Sequence, residues 1–443
     1  MNYVEQWKKL LSPVRWHSQS EGNFSMERNP FMMDFDRIIF SSSYRRLAKK
    51  TQVHPLSRND HIHNRLSHSQ EVACVGRSLG IKIGFFLSDN QYLPCEVYPF
   101  DVGAIVQCAS LVHDIGNPPF GHAGEDAICD WFRDNDNKQY LDSRLFTNKE
   151  IADFRVFDGN AQGFRVINCT EMYQNDGGLR LTFPTIASMV KYPRSAYEAI
   201  GMDSDKFNFY LSEERYFSEI FEQLGLKKDG KYLRHPLSYL TEAADDICYR
   251  IIDMEDAKEL NIITFEEIKK VCEPIYDRLK IDKDKEKSLP SERRKLAYLR
   301  SKLINYLVSS IYETFVSNFD SIMNGEIKDL ISIGDADVKS YFDNARDIFN
   351  NKISKDRTKI TLEIGSYELY KRLLDVFIPS IYRYIKNENL SFKEKRVIDL
   401  MGNNTPSKET SLYEAYRCVI DFISGMTDDY ATYISTQFSG TSH

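Results

Sequence analysis

The stretch that most constrains this chain is VGAIVQCASLVHDIGNPPFGHAGE, residues 102–125. Its first half is apolar nearly all round, the pattern of a central helix buried on every side, about which the rest must pack. Gly116 and the Pro118–Pro119 pair end it, because proline brings no N–H to the helical ladder and glycine readily leaves it. A second helical pattern starts at residue 121 and runs through Trp131 and Phe132. Polar chemistry sits on both sides of the break. His113 and Asp114 are adjacent and can offer one nitrogen and one oxygen to the same cation, a mixed set suited to a divalent transition metal. His122 and Glu125 are three apart and share a helix face, so the carboxylate can orient and charge the imidazole for acid–base work.

The remaining periodicity is helical too, and the fold class read from it is all-α. Helical patterns cover 33–53, 65–87, 158–173, 181–195, 239–260, 346–377 and 411–435. Residues 1–30 read as an extended arm with one short helix, and 54–64 as a loop. LTF (181–183) and KITLEI (359–364) could form short strands, though no alternation is sustained. KDKEKSLPSERRK (283–295) reads as a solvated connection between helices.

Composition narrows the class. The chain has 443 residues, 42% apolar and 28% charged, as an ordinary globular protein has. A net charge of −7 excludes a surface that is basic throughout, though it allows a local basic patch. Eight scattered cysteines with no CxxC pair predict buried, reduced thiols in the cytoplasm. The opening MNYVEQWKKLLSPVRW is too polar for a secretory signal, and no apolar run reaches membrane-spanning length.

A cation held only by His113 and Asp114 would be poorly ligated, and two further donors are wanted. RLSHSQE offers His68, and EAADDICY offers Asp245 or Asp246. Acidic residues among such apolar neighbours need a partner if buried, and a cation is one.

With RLSHS, HDIGNPPFGHAGE, DGNAQGFR and EAADDICY in that order, the chain resembles the HD-domain deoxynucleoside triphosphate triphosphohydrolases, the dGTPase group. SSSYRRLAKKTQVHPL and the late ISGMTD add to the likeness. The resemblance implies an HD-domain helical core with its N-terminal arm over 1–265, and a C-terminal helical region over 266–443 that completes the nucleotide site. It implies His68, His113, Asp114 and Asp246 as ligands of a divalent ion, Mn2+ or Mg2+, with Fe, Co or Ni also suited to the imidazoles. Asp246 is preferred to Asp245 on the family pattern alone, since helical angle does not decide between them.

The implied reaction is hydrolysis of dGTP, and of other dNTPs, to deoxynucleoside and inorganic triphosphate. His122 would be the acid for the 5′-oxygen and Glu125 its orienting partner. Arg65, Asn160, Lys191 and Tyr192 match phosphate-contacting positions. Gln52 and Val53 match the part that meets sugar and base. Tyr249 and Asp253, one and two turns beyond Asp246, would wall the sugar and accept from its 3′-hydroxyl. Glu363, with Phe349 nearby, resembles the base-reading position. The family also implies a homo-oligomer, a hexamer favoured, with single-stranded DNA or a second dNTP as regulator and no membrane partner. Two other readings compete: another HD phosphohydrolase or phosphodiesterase, and a non-catalytic nucleotide- or single-stranded-DNA-binding module.

Overall fold

The computed structural model describes residues 2–16, 29–56, 59–172 and 178–440. Helices α1 (Tyr3–Leu10), α2 (Pro30–Phe40) and α3 (Ser42–Arg46) form the N-terminal part of the arm, whose residues 17–28 lie outside the described residues. The pattern over 33–53 is split at Ser41, which turns extended and caps α3 through its hydroxyl. The long helix α4 (Arg65–Asp89) starts on a reciprocal cap between Asn64 and Ser67. The apolar run is α5 (Pro99–Val112), with proline in its first turn.

As its all-round apolarity requires, α5 is enclosed by its neighbours. It packs along α4 at close range: a Cβ on Gly84 would stand 2.4 Å from the Pro99 carbonyl oxygen, so only glycine lets these backbones approach so closely. The chain continues through α6 (His122–Arg133), α7 (Asn148–Arg155), α8 (Gly159–Arg165), α9 (Phe183–Met189), α10 (Ala196–Gly201) and α11 (Glu214–Gln223). A two-residue antiparallel pair follows, β1 (Lys227–Lys228) and β2 (Lys231–Tyr232), with Lys227 opposite Tyr232. Then α12 (Ser238–Glu259) lies across both α4 and α5, and α2 and α9 close the remaining sides.

Beyond α12 come α13 (Phe265–Val271), α14 (Lys283–Ser288), α15 (Glu292–Ser317), α16 (Phe319–Met323) and α17 (Ala336–Ile348). A single π-turn, Phe349–Ile353, leads into α18 (Arg357–Ile385). The last helices are α19 (Phe392–Met401), α20 (Leu412–Ser424) and α21 (Asp428–Phe438). One apolar core runs from Trp7 to Ile353 around α5. A second joins α6 and α7 to α18, α19, α20 and α21. Both cores draw residues from either side of position 265.

Three local expectations change. Leu181 and Thr182 lead into α9 instead of forming a strand. KITLEI lies inside α18, where Lys359 and Glu363 pair across one turn as a helix allows and a strand does not. Residues 283–295 are largely helical, as α14 and the first turn of α15. All eight cysteines are free, but Cys74 and Cys95 are exposed instead of buried. Among the described residues no helix is long and apolar enough to cross a membrane.

Candidate active site

The end of α5 and the start of α4 meet beneath a cavity of about 500 Å3. His113 caps α5, and its Nδ1 lies 2.7 Å from the Ser110 carbonyl oxygen. That hydrogen bond assigns the proton to Nδ1 and turns the lone pair of Nε2 toward the cavity floor. Nε2 is buried and has no hydrogen-bond partner among the described residues. His68, fully buried on α4, faces it edge-on with ring centroids 5.3 Å apart. One nitrogen from each histidine and one oxygen of Asp114 lie within 4.8 Å of one another. Asp114 is braced from outside the cluster by Arg65 Nη1 at 2.6 Å and by the Asn117 amide.

The carboxylate that faces both imidazoles is Asp245. Its Oδ1 lies 3.1 Å from His68 Nε2 and 3.4 Å from His113 Nε2. Asp246 does not join them. The two residues are neighbours on α12 and so point about 100° apart at roughly 3.6 residues per turn. Asp246 faces a separate cavity with Lys191, Arg234 and Arg250. Burial, only partly offset by Lys191, pushes its carboxyl up to about 7. The expectation of Asp246 in the cluster is therefore corrected to Asp245. Two imidazole nitrogens and two carboxylates, one nitrogen buried and unpartnered, form a donor set that fits a divalent ion.

The wall opposite carries the second pair. His122 opens α6, and its Nδ1 lies 2.7 Å from Glu125 Oε2. The Glu125 Oε1 accepts the Gly159 amide at 2.7 Å, so α8 fixes the carboxylate while the imidazole stays open. The hydrogen bond to Glu125 holds the His122 imidazole above its ordinary value. The turn before it is strained: Phe120 and Gly121 have φ of 63° and 57°, and for a bulky residue that region costs roughly 1–3 kcal/mol.

The same cavity gathers Gln52, Val53, Arg65, Asn160, Lys191, Tyr192, Tyr249, Phe349 and Glu363. Asn160 is oriented by Asp158, its side-chain amide donating at 2.8 Å. Lys191 pairs with Glu242 at 3.0 Å, and Asn208 holds the backbone of both Lys191 and Tyr192. The Gln52 Oε1 is buried without a hydrogen-bond partner among the described residues. Tyr249, four residues after Asp245 and so on its face, meets Phe349 at 5.7 Å between ring centroids. The π-turn delivers Phe349, and α18 delivers Glu363 beside Lys359. Asp253 stands apart from the cavity lining, buried farther along α12.

A family profile described as the HD domain matches residues 65–151, which include His68, His113, Asp114, His122 and Glu125. A deoxyguanosinetriphosphate triphosphohydrolase-like protein of Pseudomonas aeruginosa (strain LESB58) is 42% identical over 442 residues, 98% of this chain and 99% of its own. The chain belongs to the HD-domain deoxyguanosinetriphosphate triphosphohydrolase-like family. A like-named protein of Synechocystis sp. is 34% identical over 99% of this chain and 100% of its own. A deoxyguanosinetriphosphate triphosphohydrolase of Yersinia pseudotuberculosis is 29% identical, with 95% of each chain covered. Membership makes the protein a phosphohydrolase.

Sequence reasoning missed two cations of this HD-family site. Lys206 lies between α10 and α11 and faces Asp158 and Glu125. Lys359 lies beside Glu363 in the cavity lining. Neither sits in a motif with chemical spacing, so only the folded chain reveals them.

Proposed function

We propose that the protein hydrolyses deoxynucleoside triphosphates, dGTP among them, to deoxynucleoside and inorganic triphosphate. The observation that carries this reading is one cavity lined by His113, Asp114 and Asp245, with His68 buried against them, by the His122–Glu125 pair and by the cations Arg65, Lys191 and Lys206.

A divalent ion held by that cluster, Mn2+ or Mg2+, would neutralise charge on the α-phosphate and make water a better nucleophile. The protein's own groups do the rest. Water attacks the α-phosphorus, its oxygen staying with the triphosphate and one of its protons passing to solvent, and the bond to the 5′-oxygen breaks. Protonated on both nitrogens, His122 keeps Nδ1–H on Glu125 and gives its Nε2 proton to that oxygen, worth roughly 10²- to 10⁴-fold. Glu125, pinned by Gly159, keeps the ring aimed and favours the protonated form. Arg65, Lys191, Lys206, Tyr192 and Asn160 present donors to the phosphates. Gln52, Val53 and Tyr249 suit the sugar, and Phe349 with Glu363 suit the base. Assembly into a homo-oligomer belongs to the same proposal.

A panel of dGTP, the other dNTPs and GTP with Mn2+ or Mg2+ tests it. Release of intact triphosphate from dNTPs and not from GTP is expected. Pyrophosphate or monophosphate as product would point to the alternative, another HD phosphohydrolase.

A further inference from the structure

The turn between the two halves of the site, residues 117–121, can hardly hold itself. Pro118 and Pro119 have no N–H, Phe120 is in the left-handed region, and one bond closes the turn internally, Gly121 N–H to the Pro118 oxygen at 3.1 Å. The Asn117 amide and the Gly121 oxygen bond to residues within four positions, but the Asn117 and Pro119 oxygens and the Phe120 amide are taken from far away in sequence. Lys50, buried, donates to the Asn117 oxygen at 2.6 Å and to the Ser424 oxygen at 2.7 Å. The Tyr370 hydroxyl donates to the Pro119 oxygen at 2.9 Å. Asp428, 3% exposed, accepts the Phe120 amide on one oxygen at 3.1 Å and the Thr51 amide on the other at 2.9 Å.

The geometry points to Asp428 as a positioning residue that sets the acid against the substrate. One carboxylate ties the turn that aims His122 to the residue just before Gln52 and Val53. Lys50 repeats the tie from the other side, between Asn117 and the end of α20. The sequence segment Ser424–Asp428 is thus a clamp that holds the acid-bearing and sugar-facing parts of the cavity in one frame. Asp428 lines neither the cavity nor the cluster, and its effect passes through Phe120 and Thr51. This rests on the proposed dNTP hydrolysis for its kinetic consequence, while the clamp itself is read without substrate.

The test uses the full chain carrying Asp428→Asn, with Lys50→Met as a second variant should the first fold poorly. Hydrogen exchange is measured on peptides covering Thr51 and Phe120, and kcat and KM on the best dNTP. Exchange should quicken at both amides in Asp428→Asn while the rest of the core stays protected. kcat should fall about 10- to 100-fold with KM changed less than about 3-fold, since a displacement near 1 Å costs on that order. A folding defect alone would instead lower the active fraction and quicken exchange throughout. Unchanged exchange at both amides, or faster exchange with wild-type kcat, would overturn the inference. If the wild type releases no triphosphate from any dNTP, the function proposal fails, and the exchange arm still decides whether the clamp exists.

Discussion

His122 Nδ1 lies 2.7 Å from Glu125 Oε2, and the second oxygen of that carboxylate is spent on the Gly159 amide. The pair is thus held at one end by α8 and open at the other, where His122 can give up a proton. His122→Ala should lower kcat roughly 10²- to 10⁴-fold with KM much less affected, as loss of a general acid does. Triphosphate release from dGTP measures it.

The same hydrogen bond sets a pH dependence. The acid must be protonated, so kcat holds at low pH and falls as pH rises through the His122 value, which Glu125 lifts above the ordinary 6.5. Glu125→Gln removes the carboxylate, and the alkaline limb of the kcat profile should then move to lower pH. A profile unchanged in Glu125→Gln would sink the assignment.

Asp245 and Asp246 can be separated by metal binding. Asp245→Asn removes the oxygen that faces both imidazoles, and Mn2+ affinity should fall by more than the roughly 10- to 100-fold typical of outer contacts. Asp246→Asn lies off the cluster and should bind Mn2+ as the wild type does. Titration of chelator-treated protein with Mn2+ reads both.

Gly159→Ala should be costly. A Cβ there would stand 1.9 Å from the Asn117 Oδ1 and 2.9 Å from the Glu125 Oε1. Overpacking of this kind destabilises by about 1–3 kcal/mol, and here it also displaces the carboxylate that orients His122. Thermal unfolding should show the first effect and kcat the second.

His235 supplies a stability test away from the cavity. It is fully buried, its Nε2 lies 3.0 Å from the Leu10 oxygen, and burial pushes its value down to about 4. With the folded value below the unfolded one near 6.5, its contribution is full above 6.5 and is lost as pH falls toward 4. Urea unfolding at pH 7 and pH 5 should show about 2 kcal/mol less loss in His235→Gln than in the wild type.

What was legible from residues alone was local. The apolar run of α5, its Gly-Pro-Pro stop and the 3.6-residue patterns around it define an all-helical core, because periodicity reports which face is buried. Motif spacing likewise marks His113 with Asp114 and His122 with Glu125, since each pair lies within one turn. What only the tertiary structure decided is where separate helices meet. Asp245 and not Asp246 faces the imidazoles because of how α12 is rotated against α4 and α5, and a one-residue step on a helix carries no sequence mark of that rotation. Lys206 and Lys359 reach the cavity from segments without a motif, and Asp428, though it ends ISGMTD, meets Phe120 and Thr51 only through the fold. KITLEI lies in the first turns of α18, where Lys359 and Glu363 pair and the later residues Leu369–Ile381 anchor the helix in the second core, whereas a lone strand would have no partner to complete its hydrogen bonds.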